Sequence, residues 1–229
     1  MATEQQYKQN EIALNVSRAR ITVLVFNLTV IALMLSITSA RSMPADQVVI
    51  THLTSSVALF IGFCLTILGL LWLLFSQNLD TMGMSRPLPF ALGAMTTYMA
   101  LSQTVTAFMH EYLVGIKSAI DHSIALDSEK IHTLVRFDLL DDSALLILFF
   151  LGGTIWFLTT YLSPLSVVIQ SPVRGNHRWV IVGYYLVLQI PINWIYATTW
   201  QQEYVPAEQS MDILSLFALQ FIQPVLWFH

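Results

Sequence analysis

Uncharged polar residues recur at helical spacing inside otherwise apolar stretches of this chain, and they are its first candidates for chemistry. Thr96, Gln103, Thr106 and His110 are separated by steps of seven, three and four residues, which places them on one face of a helix. Tyr185, Gln189, Asn193 and Tyr196 repeat the pattern beside Pro191. The first apolar run offers Thr22, Thr29 and Ser36, and the last offers Asp212, Gln220 and Gln223. In an apolar medium, amides and hydroxyls can replace part of an ion's hydration without trapping it. The competing reading is that each seam is interhelical glue, worth under about 1–2 kcal/mol per bond. No Asp, Glu, Lys or Arg stands in the middle of an apolar run, which argues against a proton-coupled carrier or a voltage sensor.

Histidines form the second candidate set. His52 and His110 stand at the ends of apolar runs, with Glu111 and His122 following. Imidazole and carboxylate gathered at one level of a bundle would suit zinc, copper or a haem iron. No HxxxH or HExxH spacing supports such a site, so a haem- or metal-binding redox subunit is a subordinate reading and the cofactor is open. The single cysteine, Cys64, excludes an internal disulfide and a CxxC pair. There is no GxSxG elbow, no Walker loop and no GxGxxG, so the expectation leans away from an enzyme.

The elements that carry these residues are transmembrane helices. Of 229 residues, 55% are hydrophobic and only 10% charged, against about 25% charged in an ordinary soluble domain. About 20 apolar residues in a helix cross a hydrocarbon core. Approximate spans are expected at 21–38, 49–75, 90–110, 143–162, 179–199 and 211–228, after a polar lead-in over 1–20. The lead-in is too long for the n-region of a signal peptide, so the first run reads as a retained span. The segment 111–142 is too polar to cross. Its apolar residues recur at helical spacing, which predicts an amphipathic surface helix between the third and fourth spans. Breakers predict a loop over 163–178. The fold class is therefore all-α, a polytopic bundle of five to six spans in one domain.

The run 49–75 is the most apolar, and its small residues Ser55, Ala58, Gly62, Thr66 and Gly69 share a face. Small faces let backbones approach closely in lipid, so this helix is expected at the centre. Lys8, Arg18, Arg20, Arg86, Arg174 and Arg178 fall on one side of a six-span arrangement, which puts the N-terminus in the cytoplasm. A net charge of −4 with no basic run gives no support for nucleic-acid binding. The partners expected are the bilayer and either further copies of the chain or other membrane subunits. One protomer is too small to surround a wide pore, so a channel reading implies a homo-oligomer. The leading functional expectation is thus a non-enzymatic, homo-oligomeric ion channel, pore or membrane-sensing component. The alternative is a structural subunit of a larger membrane complex.

Overall fold

The computed structural model describes residues 18, 20–33, 53–83, 87–125, 142–170, 177–204 and 212–228. Among them every element is helical and there is no strand. In chain order these are α1 (Arg20–Leu33), α2 (Leu53–Thr81), α3 (Pro87–Ala125), α4 (Asp142–Phe157), α5 (Ser163–Gln170), α6 (His177–Tyr204) and α7 (Ile213–Leu219). A π-helical turn, Leu158–Leu162, joins α4 to α5 without a break, and a 3-10 segment, Gln220–Phe228, follows α7. Three helices are long and apolar enough to cross a membrane: Leu53–Thr81, Phe149–Gln170 and Arg178–Glu203.

The centre of the bundle is α3, not the more apolar α2. From Ala91 to His110 nearly every α3 side chain is buried, whereas α2 turns Phe60, Phe63, Leu71, Leu74 and Phe75 outward. The reason lies in what surrounds each helix. A helix enclosed by others needs small residues on every side, and α3 supplies Ala91, Gly93, Ala94, Ala100 and Ala107. A helix facing lipid needs large apolar groups instead, and these dominate a hydropathy reading.

The longest helix contact is the antiparallel pair α2–α3. At one end Ser55 Oγ donates to Ala107 O at 3.2 Å. In the middle a Cβ on Gly62 would stand 3.3 Å from Thr104 Oγ1. At the other end a Cβ on Gly93 would stand 2.9 Å from Leu73 Cγ, so only glycine lets the two backbones come this close. The chain reverses between the two helices at Gly83, which ends α2 with φ +71°.

Helix bounds differ most from the expected ones in two places. Residues 111–125 continue α3 as one helix, because no proline interrupts the sequence after Pro89 in that stretch. The remainder of the predicted surface segment, 126–141, lies outside the described residues. Residues 163–170, expected as loop, are helical despite Pro164. The π turn makes this possible: Ser163 N–H reaches back to Leu158 O, five residues away. Pro164 then leaves Thr160 O without its i+4 donor, and Tyr185 OH of α6 donates to that carbonyl at 2.9 Å.

Pro224 repeats the device. In a 3-10 segment its missing N–H would have served Phe221 O, and Tyr161 OH donates there at 2.5 Å. Pro164 and Pro224 are thus each matched by a tyrosine from a neighbouring element. Backbone groups away from water require such a partner.

Candidate functional site

The interior of the bundle holds a layer of amides, hydroxyls and indoles, assembled from α3, α4, α6 and the 3-10 segment. Alpha-helical spacing puts Gln103 and Thr106 on successive turns of α3, where Gln103 is 2% and Thr106 0% exposed. Opposite them α6 presents Gln189, Asn193 and Tyr196 at i, i+4 and i+7, all buried. Tyr196 OH donates to Gln103 Oε1, and Gln103 Nε2 donates to Ser102 Oγ at 3.1 Å. Gln189 Nε2 donates to Asn193 Oδ1 at 2.8 Å along one face of α6.

A second set abuts the first through α3. Gln223 Oε1 accepts from Thr106 Oγ1 and from Trp156 Nε1, both at 3.0 Å. Gln223 Nε2 lies 3.5 Å from Gln220 Oε1. One amide of the 3-10 segment therefore ties α3 to α4. Toward the other end of α3, Thr96 Oγ1 donates to Leu92 O at 2.8 Å and stands 2.7 Å from Tyr184 OH. Tyr184 OH also accepts from Trp72 Nε1 at 3.1 Å. With the threonine proton on Leu92, Tyr184 is the donor to Thr96, and α2, α3 and α6 are joined in one relay.

Several atoms of the layer are left over. Gln189 Oε1, Asn193 Nδ2, Gln220 Nε2 and Trp227 Nε1 are buried with no hydrogen-bond partner among the described residues. Thr160 Oγ1, in the π turn, is in the same condition. A buried polar atom without a partner costs about 1–3 kcal/mol, so a set of them in one interior is a feature that packing does not explain. Neutral donors and acceptors of this kind can serve water, an ion or a small polar solute without carrying a fixed charge.

The other sequence candidates are placed as follows. Ser55, Ala58, Gly62 and Gly69 are buried on the face of α2 that meets α3 and Leu24 of α1. His110 is buried at the far end of the α3 face, and Glu111 beside it is half-buried. His52 and the side chain of His122 lie outside the described residues, and among the described residues no three His, Cys, Asp or Glu side chains gather as a metal-holding group. Thr22 and Thr29 are exposed, and each donates to the carbonyl four residues back, Arg18 O and Val25 O, at 3.0 Å. Ser36 is outside the described residues. Asp212 is exposed and caps α7, accepting from Leu214 N at 3.3 Å.

The polar group of α1 that does turn inward is Asn27, whose Nδ2 donates to Thr66 Oγ1 at 3.0 Å. A lone amide has no spacing pattern, so periodicity did not single it out. Nothing in the sequence neighbourhood of Trp156, the donor to Gln223, marks it as a hydrogen-bond donor to a residue 67 positions away.

Thr54 and Glu203 close the other end of the bundle. The N–H and hydroxyl of Thr54 donate to Glu203 Oε2 at 2.8 and 2.6 Å, so α6 caps the N-terminus of α2 with a carboxylate at the positive end of its dipole.

No protein-family model matches the chain, and neither a curated protein nor a solved structure is significantly similar to it.

Proposed function

We propose that this chain is a multi-pass membrane protein, of five to six crossings with a cytoplasmic N-terminus, whose interior polar layer passes or holds a small ion or polar solute. The observation that carries the proposal is the group of buried, unpartnered amide atoms on Gln189, Asn193 and Gln220. They stand beside a network with no fixed charge. Neutral groups that are not fully satisfied by each other suit a species that must enter and leave.

The layer lies between helices of one protomer, so the geometry favours a path within each copy over one along a symmetry axis. Homo-oligomers then present parallel paths, as membrane-embedded units often do without sharing a pore. Gln103 and Tyr196 would close such a path, because their direct bond ties α3 to α6. Breaking and re-forming that bond is the simplest gate available to this interior.

A structural subunit of a larger membrane complex is the second reading, and one observation favours it. Thr106, Trp156 and Gln223 satisfy one another directly, as a purely architectural network does. Reconstitution decides between the two. The purified chain in liposomes should pass ions or small polar solutes faster than empty liposomes, and Asn193→Leu should abolish the excess while the protein stays folded and membrane-inserted. Flux equal to empty liposomes in the unmodified protein would leave the architectural reading.

A further inference from the structure

One nitrogen of a half-buried guanidinium also lacks an acceptor, at the opposite end of α3 from His110. Arg20 opens α1, and its Nη1 has no hydrogen-bond partner among the described residues. Its Cζ lies 4.8 Å from the Phe90 ring centre and 5.8 Å from that of Tyr98, so two aromatic faces of α3 hold the cation in place. The space beside it, about 250 Å³, is walled by α1, α3 and α5 and includes Ser166 and Gln170. Among the described residues no Asp or Glu lines it. Gln170 is exposed, so the cleft reaches the surface there.

A guanidinium with an unpartnered Nη1 in a cleft of neutral donors selects an anion. Its planar fork suits phosphate oxygens in particular. The position selects the source. Arg20, the first turn of α3 and the last turn of α5 lie at one end of the bundle, the end where Arg18 and Arg178 also fall. The two helices that wall the cleft carry exposed apolar side chains within a turn of its lining residues, Val23 on α1 at 40% and Ile169 on α5 at 60%. A free phosphate would leave them uncovered, whereas the acyl chains of a lipid would cover them. Basic pockets between membrane helices are known to take anionic headgroups in this way.

The geometry points to an anionic-phospholipid site in which Arg20 grips the headgroup phosphate and Gln170 and Tyr98 complete its donor set. The inference rests on the membrane-embedded reading of the chain but not on the role of the polar layer.

The test is native mass spectrometry of the full chain, delipidated in a nonionic detergent and titrated separately with phosphatidylglycerol and phosphatidylcholine. The unmodified protein should retain one phosphatidylglycerol with at least about tenfold preference, the effect of one charge-assisted contact. Arg20→Gln should erase the preference, and Arg20→Lys should keep part of it, since the charge remains and the fork is lost. Gln170→Leu leaves the ring-held guanidinium intact and should weaken retention severalfold, which covers the case in which Arg20→Gln fails to fold.

Equal retention of the two lipids by the unmodified protein overturns the inference, as does undiminished preference in Arg20→Gln. Displacement of phosphatidylglycerol by an equal concentration of inorganic phosphate overturns the lipid assignment and leaves a soluble anion. Alkaline carbonate extraction of the same protein from membranes separates the two levels of failure. Protein released by carbonate refutes the membrane-embedded reading itself, whereas retained protein without lipid preference refutes only the cleft.

Discussion

Replacing Gln189 and Asn193 together by leucine should leave the protein at least as stable as it is now and remove its flux. The two amides share one hydrogen bond of 2.8 Å and leave Gln189 Oε1 and Asn193 Nδ2 unpartnered among the described residues. Two buried unpartnered atoms cost roughly 2–6 kcal/mol at about 1–3 each. The bond they make returns only about 0.6–2 kcal/mol inside a membrane bundle. The unfolded chain in a bilayer also finds partners for its amides, which pulls the cost toward the low end. Even there the pair is a net debit, and the leucine pair of similar volume should be neutral or stabilising by about 1 kcal/mol. Asn193→Leu alone removes one unpartnered atom but strands the Gln189 donor in its place, so it should destabilise by the lost bond, about 0.6–2 kcal/mol. The assay is the fraction remaining monodisperse after heating in detergent, beside liposome flux on the same preparations. If the double variant is less stable than the unmodified protein by more than about 1 kcal/mol, the amides are structural bonds and the reasoning fails.

Tyr185→Phe should cost about 1–3 kcal/mol by stranding Thr160 O, and Pro164→Ala in the same chain should restore part of the loss by returning a backbone donor; thermal stability of the single and double variants checks this, and equal losses in both would show that the tyrosine does not stand in for the proline N–H. Gly93→Ala should destabilise by about 1–3 kcal/mol because Leu73 Cγ and the Leu73 backbone N stand 2.9 and 3.2 Å from the new methyl. Gly183→Ala meets nothing within 4 Å and should stabilise by about 0.5–1 kcal/mol; heat-stability curves in which Gly93→Ala matches Gly183→Ala would refute the close approach of α2 and α3. Cys64 is exposed in the middle of the apolar face of α2, so a charged maleimide should label it slowly in intact vesicles and fast after denaturation. Rapid labelling in vesicles would place that face in water.

The parts of this architecture legible in sequence are those that face outward from the bundle. Leu53–Thr81, Phe149–Gln170 and Arg178–Glu203 stand out because their outward residues are large and apolar. The centre was not legible, since enclosure by other helices lets α3 carry Thr96, Thr97, Ser102, Gln103, Thr104 and Thr106, and hydropathy counts each of them against it. Spacing puts Gln189, Asn193 and Tyr196 on one face, but only three-dimensional packing shows that the face turns into the protomer. Hydrogen bonds such as Tyr185 to Thr160 or Trp156 to Gln223 join residues far apart in sequence, and no local pattern encodes them. The expected loop at 163–178 shows the same limit from the other side, because a proline reads as a breaker until its π turn and its tyrosine are seen.

On the proposed reading of five to six crossings, in which α3 is itself a span, its enclosure also bears on how the protein is made. Segments leave the ribosome singly and are sorted into the bilayer by their own apolarity, on a scale where polar residues at a helix centre count heavily against entry. Helix α3 is the weakest candidate by that measure and emerges before α4 to α7, whose side chains later satisfy it. Its retention must therefore lean on α2, already in place and joined to it by a turn of a few residues. Chains cut after residue 125 should hold α3 less securely than chains carried through α6, and the difference would be visible as glycosylation of an acceptor site appended to its end.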